Sequence, residues 1–214
     1  MEIDIFADVV CPWCYLGERR LELALERFEH RGEVTLRFRS FELDPSSKGE
    51  SDLSLDELIS KKYGIPITQA RRQGAMIADL GAEVDLDYHF DTVVPSGSFA
   101  AHRLIQFAHT RGLGKELARR IMRGYFAEGV HISRADELGE MATQVGLAGE
   151  GALAVLASDD FAEEVRGDEA LAQQLGVTGV PFFLFDNKFG VAGAQDTETL
   201  ASALETVWSK SHPG

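Results

Sequence analysis

The chain contains only two cysteines, Cys11 and Cys14, and the residues between them are Pro12 and Trp13. Cysteines at this spacing hold metal ions, form structural disulfides, or exchange electrons with a substrate as a dithiol. A zinc site needs four ligands, and the sequence has no second cysteine pair and no two histidines at ligand spacing. A structural disulfide across two residues would constrain the unfolded chain little. The pattern therefore favours a redox-active dithiol and predicts no metal site.

The residues on either side of the pair predict where the dithiol lies. Residues 2–7 alternate like a short strand, and the apolar residues after Cys14 recur at helical spacing up to Gly32, which we expect to end the helix. Cys11 then lies at a helix N-terminus, where unpaired backbone N–H groups stabilise a thiolate. Pro12 suits the first helical turn because it donates no N–H group. We expect Cys11 to be exposed and to attack the substrate, and Cys14 to be shielded and to resolve the intermediate.

The two ends of the chain predict the strands of one sheet. Residues 34–43 alternate in polarity and predict a second strand, which closes a β-α-β unit. Near the other end, residues 159–177 predict a helix, and two apolar runs joined by Asp186 and Asn187 predict a β-hairpin. Residues 196–210 predict a terminal helix. Neither pair of strands is large enough to be stable alone, so we expect all of them to share one sheet.

The middle of the chain predicts helices. Residues 53–156 contain several amphipathic stretches separated by glycines and no convincing strand. Within this block, residues 147–157 are rich in Ala, Gly and Glu, and we interpret them only as a compositional bias. The sequence thus predicts an α/β domain formed by residues 1–48 and 158–214, which a helical domain of residues 49–157 interrupts.

The charge balance excludes two classes of partner. The chain has 21 Lys and Arg residues against 35 Asp and Glu residues, a net charge of −14. Such a chain repels phosphate backbones and anionic lipid surfaces, so we expect neither nucleic acid nor membrane as a partner. The first residues, MEIDIFADVV, have no basic segment followed by an apolar run, which predicts a cytoplasmic protein. Reducing conditions there favour a catalytic or metal-binding cysteine pair over a permanent disulfide.

Four stretches of the sequence, in this order, resemble the DsbA-like branch of the thioredoxin superfamily. The resemblance is closest to the FrnE-type group of cytosolic DsbA-family proteins. It implies an α/β thioredoxin-like fold with a large all-helical insertion, and the activity of a protein disulfide oxidoreductase that uses Cys11 and Cys14. The stretches are DVVCPWCYLG at 8–17, RSFELDP at 39–45, SFAAHRLIQFA at 98–108 with YFAEGVHIS at 125–133, and GVTGVPFFLFDNKFGVAGAQ at 176–195.

The resemblance also implies residues around the dithiol. A cis-proline faces the dithiol in thioredoxin-like proteins, and it corresponds here to Pro181; a trans proline that merely opens a strand is the alternative. With a cis bond, the Val180 backbone would offer a strand edge to a substrate peptide. Trp13 lies where strongly oxidising members carry histidine. An indole cannot bear positive charge and stabilises the Cys11 thiolate less, so we predict a less oxidising couple than that of DsbA.

Asp8 and His102 each have two interpretations. Asp8 could pass a proton to or from Cys14, or could cap the turn before the helix. In this architecture the helical insertion covers the active-site face, and His102 belongs to the insertion. It is therefore either a residue of the substrate groove or a buried histidine with satisfied hydrogen bonds.

The predicted reaction is thiol-disulfide exchange with a protein or small molecule that carries a disulfide or dithiol. No bound cofactor is expected; glutathione or a thioredoxin system would recycle the pair. The resemblance is also compatible with a homodimer formed through the helical block. Two alternatives remain: a glutathione-dependent isomerase or kappa-class-like glutathione transferase on the same fold, and a non-catalytic thioredoxin-like scaffold or chaperone. Loss of turnover in Cys14→Ser would distinguish the oxidoreductase from the isomerase.

Overall fold

The computed structural model describes residues 1–211, which form a four-stranded mixed sheet and nine α-helices. None of the helices in that range is long and apolar enough to cross a lipid bilayer. The strands are β1 (Glu2–Ala7), β2 (Thr35–Ser40), β3 (Phe182–Phe185) and β4 (Phe189–Ala192). The helices are α1 (Pro12–Glu26), α2 (Leu55–Tyr63), α3 (Ile67–Ala82), α4 (Phe99–His109), α5 (Gly114–Ala127), α6 (Ala135–Gln144), α7 (Gly149–Leu156), α8 (Ala162–Gln174) and α9 (Thr197–Ser211).

The two ends of the chain share one sheet, as predicted, in the order β2-β1-β3-β4. β1 runs parallel to β2, with Ile5 opposite Phe38, and antiparallel to β3, with Ile5 opposite Phe183. A parallel pair needs a crossover connection, which α1 supplies. β1 is central, so five of its six residues are buried. The carboxyl end of this buried strand leads directly to the cysteine pair.

A buried polar network fastens the helical insertion to the sheet. Asp168 of α8 is 4% exposed and accepts hydrogen bonds from Arg39 Nη1 at 2.9 Å, from the Ser40 backbone N–H at 2.9 Å and from Gln106 Nε2 at 2.6 Å. Arg39 also donates to Asp4 Oδ1 at 2.7 Å. Buried charges are tolerated where every one is paired and hydrogen-bonded. This network links β1, β2, α4 and α8.

The first helix is shorter than the sequence predicts. α1 ends at Glu26 and not at Gly32, which lies in a 3-10 turn. The Phe28 N–H already bonds to the carbonyl of Leu25, three residues back, which tightens and ends the last turn. The Phe28 ring then packs edge-on against Trp208 of α9, with the ring centroids 5.7 Å apart. Packing between α1 and α9 therefore decides where the helix stops.

The insertion contains one helix that the sequence analysis did not predict. The Ala/Gly/Glu-rich stretch forms α7, in which Ala152 and Val155 are buried. Isolated helices of this length are marginal in water. Contacts with α4 and α6 stabilise α7, and these contacts are absent from its local sequence pattern.

Candidate active site

Cys11 and Cys14 lie at the junction of β1 and α1, where the sequence predicts them. After β1 the chain turns, with the Cys11 N–H bonded to the Asp8 carbonyl at 3.1 Å. Cys11 is the N-cap residue of α1 and has extended backbone angles, and Pro12 is the first helical residue. Both cysteines are free thiols. A group at this position faces the positive end of the helix dipole, which favours a thiolate.

Both sulfur-bearing residues are covered. Cys11 is 4% exposed and Cys14 is 1% exposed, so the expectation of an exposed Cys11 is wrong. The reason is a segment near the other end of the chain: the Val180 carbonyl oxygen lies 3.7 Å from Cys11 Sγ and accepts its hydrogen bond. Local sequence around the cysteines cannot show this cover, because the two residues are 169 positions apart.

The surroundings of Cys14 hold it as a neutral thiol. Burial is the largest of the causes that raise the pKa of Cys14 well above its usual value, followed by its hydrogen bond with the Cys11 side chain and the negative charge that Cys11 can carry. A backbone hydrogen bond from Asp8 acts in the opposite direction, and the Asp8 carboxylate raises the pKa further. Cys14 is therefore held in its protonated form, which is not the nucleophilic form of a thiol.

The peptide bond between Val180 and Pro181 is cis in the structure. The Pro181 carbonyl accepts a hydrogen bond from the Gly193 N–H at 2.8 Å, which ties this segment to the end of β4. A cavity of about 370 Å³ adjoins it, lined by residues 176–182 with Ala192 and Gly193. Three of these residues, Gly176, Gly179 and Gly193, have no side chain, so their backbone groups are accessible to an extended chain.

Gly17 of α1 allows the helix to approach the Pro181 segment. An added Cβ would lie 2.9 Å from Pro181 Cγ and 3.3 Å from the Cα of Ala194. The 2.9 Å contact with the proline ring is closer than real Cβ atoms come to other heavy atoms, and the 3.3 Å contact with the backbone is tighter than most. This helical glycine therefore fixes the spacing between the cysteine helix and the cover of Cys11.

We expect Gly17→Ala to lower the free energy of unfolding by about 1–3 kcal/mol, because it overpacks this contact. It should also change the reactivity of Cys11 by moving Val180. Gly167→Ala is the matched control, because Gly167 lies in helix α8 with no atom within 4 Å of the added Cβ. Urea unfolding of both variants measures the difference. Equal midpoints for the two variants would contradict the contact.

Asp8 and His102 are brought together at the base of the site. Both side chains are completely buried, and His102 Nε2 lies 3.2 Å from Asp8 Oδ1. His102 is buried, as the second interpretation expects, but its hydrogen bonds are not all satisfied, because Nδ1 has no partner among residues 1–211. Asp8 Oδ2 also accepts the Leu43 N–H at 2.8 Å. The Val10 N–H donates to Asp8 Oδ1 at 3.4 Å. This hydrogen bond is long, so the Asp8 side chain caps the turn only weakly.

Tyr88 is a residue of the site that the sequence analysis missed. It lies between α3 and α4, and its hydroxyl donates to the Pro12 carbonyl at 2.7 Å. Its ring packs edge-on against Tyr15, with the centroids 5.6 Å apart, and tilted against Phe126 at 5.5 Å. No periodic pattern marks Tyr88, so only the fold reveals that the insertion contacts the segment between the cysteines. Trp13, on the other side of that segment, is half-buried against the core.

The histidines of the described residues have other partners than a metal ion. No group of three or more His, Cys, Asp or Glu residues within 1–211 could hold one. His109 Nε2 lies 2.9 Å from the Phe38 carbonyl, and His89 Nδ1 lies 2.8 Å from the Ala127 carbonyl. Each makes a hydrogen bond to the backbone, His109 from a partly buried ring and His89 from an exposed one.

The family model of the DSBA-like thioredoxin domain matches residues 2–205, nearly the whole chain. The chain belongs to this family. A probable DsbA oxidoreductase from Streptomyces coelicolor is 38% identical in sequence and has a TM-score of 0.95, with 100% of this chain and 92% of that chain covered. The predicted fold, a DsbA-like thioredoxin fold with a helical insertion, is thereby confirmed.

Two more distant proteins are similar to the DsbA-like chain over almost their full length. The uncharacterized protein YwbO from Bacillus subtilis strain 168 is 27% identical over 208 residues, which are 95% of this chain and 96% of YwbO. The cytosolic disulfide reductase DsbM from Pseudomonas aeruginosa, whose structure contains GSH, is 20% identical with a TM-score of 0.69, covering 97% of this chain and 99% of that chain. At that identity the likeness to DsbM shows the fold alone.

Proposed function

We propose that this DsbA-like protein is a thiol-disulfide oxidoreductase and that Cys11 and Cys14 are its working dithiol. The supporting observation is the arrangement of the pair at the N-terminus of α1, with Cys11 Sγ 3.7 Å from the Val180 carbonyl and Cys14 buried behind it. A cavity of about 370 Å³ is lined in part by Val180 and Pro181. A substrate segment there lies next to Cys11, which makes Cys11 the attacking residue.

In the first step the Cys11 thiolate attacks one sulfur of a substrate disulfide. A bond forms between Cys11 Sγ and that sulfur, the substrate S–S bond breaks, and the other substrate sulfur leaves as a thiolate. The helix N-terminus stabilises the attacking thiolate. Cys14 does not compete, because burial raises its pKa and keeps it protonated. The product is a mixed disulfide between Cys11 and the substrate.

In the second step Cys14 resolves the mixed disulfide. Cys14 loses its proton and attacks Cys11 Sγ; the Cys11-Cys14 disulfide forms and the substrate leaves as a thiolate. Two electrons have then passed to the substrate. Asp8 is the proposed acceptor of the Cys14 proton, because its carboxylate is the acidic group whose charge acts on Cys14 besides that of Cys11. Oxidation of a substrate dithiol is the reverse sequence.

The finer assignments extend the same proposal. The four stretches that resemble FrnE-type proteins support that subgroup, and the likeness to cytosolic DsbM supports a cytoplasmic protein. DsbM was solved with GSH, which supports glutathione as the recycling thiol, with a thioredoxin system as the alternative. We place the domain limits at residues 1–48 and 158–214 around an insertion of residues 49–157. The shared sheet at the two chain ends supports them.

The reduction potential of the cysteine pair tests the proposal. Equilibration in glutathione buffers, followed by Trp13 fluorescence in a Trp208→Phe background, should give a reversible two-electron couple. Because Trp13 bears no positive charge, we expect a value below that of DsbA, between about −120 and −270 mV. Cys14→Ser is the control, since it can form only a glutathione adduct.

Other outcomes point to the alternatives. A potential equal to that of DsbA would contradict the role given to Trp13. An inert pair, combined with glutathione-dependent isomerase or transferase activity that survives Cys14→Ser, would replace the oxidoreductase with a glutathione-activating enzyme. An inert pair with partner binding that survives Cys11→Ser would indicate a scaffold or chaperone.

A further inference from the structure

Asp8 and His102 form a buried pair where the helical insertion meets the sheet. Asp8 follows β1, His102 lies in α4, and both are 0% exposed. The pair joins residues 94 positions apart through the 3.2 Å contact of Nε2 with Oδ1. Its place directly behind Cys14 raises the question of what the histidine does for the carboxylate.

The hydrogen bonds of the ring define the protonation state of His102. Its Nδ1 is buried and has no hydrogen-bond partner among residues 1–211. A charged ring would leave an N–H group unsatisfied there, whereas a neutral ring protonated at Nε2 leaves only a lone pair. The ring also stacks against Phe38, with the centroids 6.0 Å apart, an apolar surface that disfavours charge. His102 is thus a neutral donor, and Asp8 Oδ1 is its acceptor.

The Asp8 carboxylate depends on few donors. Besides Nε2–H of His102 it accepts the backbone N–H groups of Leu43, at 2.8 Å, and Val10, at 3.4 Å. A buried carboxylate remains ionised only as long as such donors stabilise its charge. His102 therefore supplies the only side-chain donor among these three, and its 3.2 Å contact is closer than the 3.4 Å contact of Val10.

The titratable groups that face the pair supply no positive charge. They are Cys14 of α1, Tyr125 of α5 and Glu42, which follows β2. Burial raises the pKa of Tyr125, and the charge of Asp8 adds to the shift. The cation next to Glu42 is Arg166, which binds Glu42 at 2.5 Å and not Asp8. Within the described chain, then, neutral N–H donors and not an ion pair hold the charge on Asp8.

We propose that His102 is a positioning residue that keeps Asp8 ionised and therefore able to accept the proton of Cys14 when the mixed disulfide is resolved. This role rests on the proposed function, because it belongs to that reaction. The proton moves from Cys14 Sγ to an Asp8 oxygen, the Cys14 thiolate bonds to Cys11 Sγ, and the substrate sulfur leaves as a thiolate. His102 gives up no proton. Without this donor, the Asp8 carboxylate loses one of the N–H groups that stabilise its negative charge, and it accepts the Cys14 proton less readily.

Reaction with Ellman's reagent separates the two steps in one experiment. Attack by Cys11 releases the first equivalent of thionitrobenzoate, and resolution by Cys14 releases the second. In stopped-flow absorbance we expect His102→Leu to leave the first phase unchanged and to slow the second phase about tenfold at pH 7. The rise of the second phase with pH should move upward by about one to two pH units. His102→Gln, whose amide can donate from the place of Nε2, should restore the wild-type profile.

His109→Leu and His109→Gln are the matched controls. His109 lies two turns further along the same helix and bonds to the Phe38 carbonyl instead of Asp8. Both should show the wild-type second phase. A second phase slowed equally in His102→Leu and His109→Leu would indicate general loosening of α4 and overturn the proposal. No second phase in the wild-type protein would instead overturn the proposed function.

A measurement on the unaltered protein covers the case in which His102→Leu does not fold. The ¹⁵N chemical shifts of the His102 ring in the reduced protein at pH 7 report its tautomer. We expect a neutral ring protonated at Nε2. A doubly protonated ring, or a proton on Nδ1, would overturn the proposal because the hydrogen bond to Asp8 would then be of another kind.

Discussion

Cys11→Ser should abolish disulfide exchange, lowering the rate of insulin disulfide reduction by a factor of about 10³ or more. A hydroxyl is a far weaker nucleophile than a thiolate at neutral pH. The remaining cysteine cannot replace it, because Cys14 is 1% exposed and burial raises its pKa. Turbidity of the reduced insulin chains measures the rate, and a circular dichroism melt establishes that the variant is folded.

Cys14→Ser is the matched variant, and we expect it to form a covalent intermediate that Cys11→Ser cannot form. It keeps the attacking residue and should therefore stop at the mixed disulfide, which mass spectrometry of the unreduced protein detects as a covalent adduct. Cys11→Ser should form no such adduct. An adduct that forms in Cys11→Ser and not in Cys14→Ser would reverse the order of attack that the structure supports.

Asp168→Ala should destabilise the fold by about 3–5 kcal/mol, because it leaves buried donors without their shared acceptor. Arg39, the Ser40 N–H and Gln106 all donate to this carboxylate. Arg39 keeps its hydrogen bond to Asp4 in this variant. The loss of stability therefore comes mainly from the Ser40 N–H and Gln106, which have no other carboxylate partner. Urea unfolding measures the effect, which at this chain length corresponds to a decrease in Tm of about 6–20 °C.

The control for Asp168→Ala lies on the same helix. Glu164 is exposed in the first turn of α8, and Glu164→Ala should change the free energy of unfolding by no more than about 0.5 kcal/mol. Both variants remove one carboxylate from α8 and therefore change its charge alike. A similar loss in the two variants would show that the buried network contributes nothing specific.

Local patterns in the sequence were sufficient for the scaffold. The alternation in β1, the helical spacing after Cys14 and the turn at Asp186 and Asn187 reflect short-range geometry, so they predict the strands and helices that form. The dithiol was predictable for the same reason, since its two residues are neighbours on one turn. The end of α1 and the presence of α7 could not be predicted in this way, because contacts between helices determine both.

The remaining parts of the site come from contacts between distant segments. His102 could be named as a candidate, but its contact with Asp8 spans 94 residues and no period links them. The bond from Tyr88 to the Pro12 carbonyl spans 76 residues. Glu18 belongs to the same class: burial raises its pKa to about 8, although its position among charged neighbours in α1 suggests a solvated side chain. The packing of α5 on α1 buries Glu18, and the local sequence does not show this contact.

The long separation between Cys11 and the residue that covers it has a consequence for synthesis. A ribosome adds about 5–20 residues per second, so on the order of ten to thirty seconds pass between the synthesis of Cys11 and that of Val180, 169 residues later. During this interval the growing chain lacks β3 and the segment that shields the sulfur. Cys11 therefore lacks this cover while the chain is being made, and it becomes buried only after the Val180 segment has been added.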